Sequence, residues 1–202
     1  MTTYVGRRDA SPAQHLYAQA VYTLERAKKE PNGRTPECMV AIVLAAFSLE
    51  AVLNLLCEQT FVDKWGGEAG LKEWQEQARS LSPQSKLDLV VELHGLSVDM
   101  SREPFSLLES LFKYRNDLAH GKVWHSGDVV FQSKGTPRVG KHQRLVPPWM
   151  RAATVGNAEK YVHTVMDVAD FLFEQTGYVH GLHISDTATF ESVGPLDDDM
   201  GG

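Results

Sequence analysis

Residues 39–57 read MVAIVLAAFSLEAVLNLLC, and their reading decides the fold. The run is apolar nearly all round. A helix of that kind lies either at the centre of a bundle or in a membrane. Glu50 and Asn54 choose between the two, because both interrupt the run. A charged side chain near a bilayer centre costs on the order of 3 kcal/mol on insertion. The centre of a bundle is therefore the better reading. Glu50 and Asn54 stand four apart and share a face with Val43 and Phe47. Glu50 is then expected to be substantially buried. A buried carboxylate needs a cation or a proton, so another part of the chain must bring a buried cation to it.

The stretch KYRNDLAHGK, residues 113–122, supplies one. On a helix of about 100° per residue, Leu107, Leu108, Leu111, Phe112, Leu118 and Ala119 span an arc of roughly 140°. Arg115 falls near the middle of that arc. A buried arginine is uncommon unless paired, and Glu50 is its natural partner. Lys86, on the helix that follows Ser82-Pro83, is the competing cation. His120 lies about 140° from Arg115 on the same wheel and shares its face with Asn116 instead. Three arrangements bring Arg115 and His120 to one place. The helix end unwinds near Gly121 and the imidazole swings; or Arg115 reaches along a groove; or the two converge across two subunits. The plain alternative is an Arg–Glu pair that only holds the bundle, with His120 as a C-terminal cap.

The rest of the chain surrounds this core with helices. Ser11-Pro12 starts one as N-cap and first residue, Leu16, Ala20, Leu24 and Ala27 form its apolar face, and Pro31-Asn32-Gly33 closes it. The apolar helix opens at Thr35-Pro36-Glu37 and runs to about Gln59. A short helix follows at 69–80, another from Ser82-Pro83 to near Gly95, and Pro104 opens the one carrying Arg115. From 122 to 150 the pattern changes. Val129 to Phe131 and Gln143 to Val146 read as two short strands around turn residues. A last helix covers about 157–175. The expected fold is all-α, a bundle of about five helices with a small β-hairpin inserted near 123–147. One domain over 1–180 and a flexible tail over 181–202 complete it.

The 202 residues suit a single domain with a real core. Their net charge of −6 argues against a general coat for duplex nucleic acid. One local basic stretch stands out: Lys122, Arg138, Lys141 and Arg144, with Lys134 and Arg151, interleaved with Trp124, Phe131 and Trp149. It reads as a solvated hairpin or as a phosphate-contacting wing. Cys38 and Cys57 sit on one predicted helix, too far apart to bridge, which fits thiols in a reducing compartment. The start MTTYVGRRDASPAQ shows no apolar stretch after its arginines, so the expected location is cytoplasmic, with no membrane partner. His180 and His183 have ligand-like spacing, but no Cys pair or HExxH accompanies them, so no metal and no cofactor is expected.

Arg115-Asn116-Asp117-Leu118-Ala119-His120 resembles the R-x4-6-H motif of the HEPN superfamily (higher eukaryotes and prokaryotes nucleotide-binding domains). A polar residue after the arginine is usual there, and Asn116 fits. Phe47-Ser48-Leu49-Glu50-Ala51-Val52-Leu53-Asn54 resembles the long early helix of such proteins, and Lys86 a lysine often found before the motif helix. The resemblance covers about residues 12–121. It implies a helical bundle that dimerises, bringing two motifs into one cleft. It also implies a metal-independent endoribonuclease used in toxin–antitoxin or phage-defence systems, or else a non-catalytic nucleotide- or protein-binding module. In the first case His120 would transfer protons and Arg115 would stabilise phosphate. Asn116 would orient phosphate or imidazole, and Glu50 and Asn54 would hold Arg115 from behind. The products would be 2′,3′-cyclic phosphate and 5′-hydroxyl ends. RNA, a second copy and an antitoxin are the implied partners.

Overall fold

The apolar helix runs from Pro36 to Trp65, and the other helices are laid against it. The computed structural model describes residues 12–29, 36–120 and 147–178. Every regular element among them is helical: α1 (Ala13–Lys28), α2 (Pro36–Trp65), α3 (Gly67–Glu73), α4 (Pro83–His94), α5 (Leu108–Ala119), α6 (Pro148–Ala152) and α7 (Val155–Thr176). A wide helical turn over Trp74–Ala78 continues α3, and a tight one over Phe105–Leu107 leads into α5. Helix α3 with the turn that continues it takes the place of the short helix expected at 69–80, and the short α6 was not expected.

Ile42, Leu49, Leu53 and Leu56 of α2 are fully buried, and α1, α3, α4, α5 and α7 all pack on that helix. Alone, α2 is long and apolar enough to cross a bilayer, with a mean hydropathy of 2.3 in its richest window. Here 61 % of that window is buried inside the bundle. Leu24, Leu87, Leu108, Leu111 and Leu172 contribute from the surrounding helices. The Ser48 hydroxyl donates to the Ala13 carbonyl at 2.9 Å, so the one small polar residue in the middle of α2 ties the start of α1 to it.

Several boundaries follow their local chemistry. Ser82 caps α4 by accepting from the Ser85 amide at 3.1 Å, and Gly95 ends it in the left-handed region at φ 63°. Other boundaries move from expectation. Helix α1 begins at Ala13 with Pro12 as its cap residue and no side-chain bond, so the expected Ser11 cap falls outside the described residues. Helix α2 runs past Gln59 to Trp65, because Thr60 and Phe61 are still buried and Phe61 stacks on Trp65 at 4.6 Å. Helix α7 starts two residues early, since the Thr154 hydroxyl accepts from the Asn157 amide at 3.2 Å. The hairpin expected near 123–147 falls, except for Pro147, in residues 121–146, outside the described residues. Lys122, Arg138, Lys141, Arg144 and the tail from 181 lie outside them too.

Candidate functional site

Helix α5 lies across α2 so that Arg115 meets Glu50. The guanidinium Nη2 donates to Glu50 Oε2 in an ion pair. The two side chains are 17 % and 21 % exposed, so the pair is mostly but not wholly withdrawn from water. Its second terminal nitrogen, Nη1, donates to Asn116 Oδ1 at 2.6 Å. The guanidinium carbon stands 5.0 Å from the Phe47 ring centroid, over the face of a side chain one turn before Glu50. Carboxylate, amide and aromatic ring thus fix one cation at the α2–α5 contact. The sequence had placed Phe47 on the Glu50 face without giving it this role.

Asn54 does not hold Arg115. Its Oδ1 is buried with no hydrogen-bond partner, and so is Arg115 Nε. Two unmatched polar atoms, one acceptor and one donor, therefore belong to residues of this one cluster.

His120 stands apart from these groups. Helix α5 ends at Ala119, and His120 is its C-cap, with φ −92° and ψ 3°, its amide donating to the Asn116 carbonyl at 3.1 Å. The residue is exposed, and no hydrogen bond joins it to Arg115 among the described residues. The helix does stop where unwinding was anticipated. Within one chain, the motif presents a packed arginine and an open imidazole one to two turns apart.

Lys86 of α4 is the second buried cation, 3 % exposed. Its ammonium stands 5.8 Å from the Trp74 ring centroid, and it has no ion pair of its own among the described residues. Burial holds it below the ordinary lysine value, the Glu50 carboxylate opposes that, and Arg115 and Arg79 add to it. The Cys57 thiol donates to the Lys86 carbonyl at 3.6 Å, fastening α4 to α2. Burial pushes that thiol up to about 12, with Lys86 pulling the other way, so it stays protonated at neutral pH and is a poor nucleophile. Both cysteines are buried and neither is in a disulfide.

Tyr114 was missed. It is 6 % exposed, its hydroxyl has no partner, and burial, with smaller contributions from Cys38 and Tyr161, pushes it up to about 12. Its place at the edge of the apolar arc, about 20° from Leu107 on the helix wheel, was the available signal. Among the described residues, no three of His, Cys, Asp or Glu gather as metal ligands. His125, His142, His180 and His183 lie outside those residues.

No family model matches the chain, and no curated protein or solved structure matches it either. The class that fold and site define is an all-helical bundle with an arginine–carboxylate pair let into its central helix.

Proposed function

We propose that this chain is a metal-independent endoribonuclease of HEPN type, acting as a homodimer in a toxin–antitoxin or phage-defence setting in the cytoplasm. One observation supports the reading above the others. Arg115 is oriented by Glu50, Asn116 and Phe47 in the last turns of α5, and the helix breaks at the exposed His120. A guanidinium held in one orientation suits a phosphorane, whose charge develops on fixed oxygens. An exposed imidazole can take the 2′-hydroxyl proton or give one to the departing 5′-oxygen. Because the two groups of one chain stand apart, a second copy would complete the cleft with its own motif. Lys122, Arg138, Lys141 and Arg144 are the proposed RNA contacts beyond it.

The test uses purified wild type, Arg115→Ala and His120→Ala on single-stranded RNA. Wild type should give 2′,3′-cyclic phosphate and 5′-hydroxyl ends, and His120→Ala should be slower by at least about 100-fold, the usual size of a proton-transfer contribution. Equal cleavage by wild type and His120→Ala would sink the assignment. A second reading has an observation of its own. Glu50 already neutralises Arg115, and the whole chain carries −6. Both suit a non-catalytic nucleotide- or protein-binding regulatory module. Nucleotide binding by wild type, with no cleavage and no growth arrest on expression in bacteria, selects it.

A further inference from the structure

Helices α1 and α7 leave an open groove of about 610 Å³ between them. Its floor is apolar. Tyr17, Leu24 and Val162 are buried beneath it, and Val21 and Met166 are half-buried in it. Tyr22 also lines it and is 60 % exposed. Along α1 the lining runs from Tyr17 to Lys28, about 16 Å of helix rise. None of these residues belongs to the α2–α5 contact that holds Arg115. Carboxylates stand on both rims. At one end the Lys28 ammonium joins the two helices, 2.9 Å from Glu25 of α1 and 2.8 Å from Glu159 of α7. One cation there meets two carboxylates, so that end keeps a negative charge. Asp167 follows His163 by one turn on the exposed side of α7 and extends the same rim. Burial, then Asp167 and Asp170, push the Tyr17 hydroxyl up to about 12, in keeping with acids at that end of the groove. Arg26 is turned to Glu37 of α2 at 3.7 Å.

We propose that this groove is a docking site for a basic amphipathic helix of a partner protein. The partner helix lays an apolar stripe over Tyr17, Val21 and Met166 and sets lysine or arginine against Glu25, Glu159 and Asp167. Charge selects this occupant. A second copy seated on the same groove by two-fold symmetry would set carboxylates against carboxylates, which is unfavourable. RNA phosphates would meet the same repulsion. A basic helix finds opposite charge on both rims. The open groove and its length of about three helical turns suit apolar anchors at i, i+3 or i+4 and i+7.

The probes are two fluorescein-labelled synthetic helical peptides with the same leucine stripe, flanked by lysine in one and by glutamate in the other. Fluorescence anisotropy follows their binding to the full chain. The lysine peptide should bind about tenfold or more tightly than the glutamate peptide, and its binding should weaken as salt rises. Val21→Arg and Met166→Arg should each weaken it about tenfold or more. Leu81→Arg, at an exposed leucine before α4, should leave it unchanged. Glu25→Lys/Asp167→Lys should reverse the preference between the two peptides. No binding by wild type, equal binding by wild type and both groove variants, or a preference that survives the charge reversal overturns the proposal. A folded Val21→Arg protein that loses a dimer formed by wild type in sedimentation overturns it too, because a second copy then covers the groove. If the groove variants do not fold, backbone amide shifts of wild type on adding the lysine peptide decide. Shifts confined to α1 and α7 support the proposal, and shifts elsewhere or none overturn it.

Discussion

At the scale of single residues, two half-buried polar groups show how context sets chemistry. Arg115 lies in an apolar stripe because its charge is met by Glu50 and its plane by Phe47. His94 is the other case. The Thr60 hydroxyl spends its proton on the Leu56 carbonyl at 2.6 Å, so at 2.8 Å it accepts from His94 Nε2, which carries the ring hydrogen. The Tyr178 ring meets the imidazole edge to face at 5.7 Å while its hydroxyl donates to Asp63 at 2.6 Å. Burial, then Lys64, lower His94 from 6.5, and Asp63 opposes them. The folded state therefore prefers the neutral ring. As pH falls below 6.5 the unfolded chain binds the proton first, and stability drops until the lowered folded value is passed. Urea midpoints of wild type should fall across that window, and those of His94→Gln should be flat there. An identical slope in both proteins would assign the loss to other groups.

At the scale of elements, the α2–α3 corner depends on one glycine. A Cβ on Gly70 would stand 2.2 Å from the Phe61 carbonyl oxygen and 2.8 Å from the Val62 Cα. Both are backbone atoms, so α3 itself must shift. Gly70→Ala should cost about 2 kcal/mol in denaturant unfolding, in the range of overpacked cores. Gly156 in α7 has nothing within 4 Å of that position. Gly156→Ala should be neutral or stabilise by up to about 1 kcal/mol, because alanine is the better helix former. A similar loss in both variants would show that close approach is not the cause. The cap at Ser82-Pro83 was legible, because a short polar side chain stands directly before proline. The Thr154 cap was not, because it has no such mark and depends on where the chain enters α7.

At the scale of the whole molecule, α2 organises everything else, and its two sides should respond differently to truncation. Leu49 is fully buried and Val40 is 47 % exposed on the same helix. Leu49→Ala should destabilise by about 3 kcal/mol and Val40→Ala by less than about 0.5 kcal/mol, measured by chemical denaturation. Equal losses would mean that the outward face of α2 is also packed in solution. The sequence by itself determined the helical class, the central place of residues 39–57 and the need for a buried cation opposite Glu50. These follow from periodicity and from the cost of a lone charge away from water, both of which are local. It also named Arg115 as that cation. Only the tertiary structure decided that Arg115 rather than Lys86 makes the contact, that Asn54 stays outside it, and that Trp74 and Phe47 each face a cation. Those outcomes depend on how far α4 and α5 slide along α2, which is set by the packing of many side chains at once and is written in no single spacing.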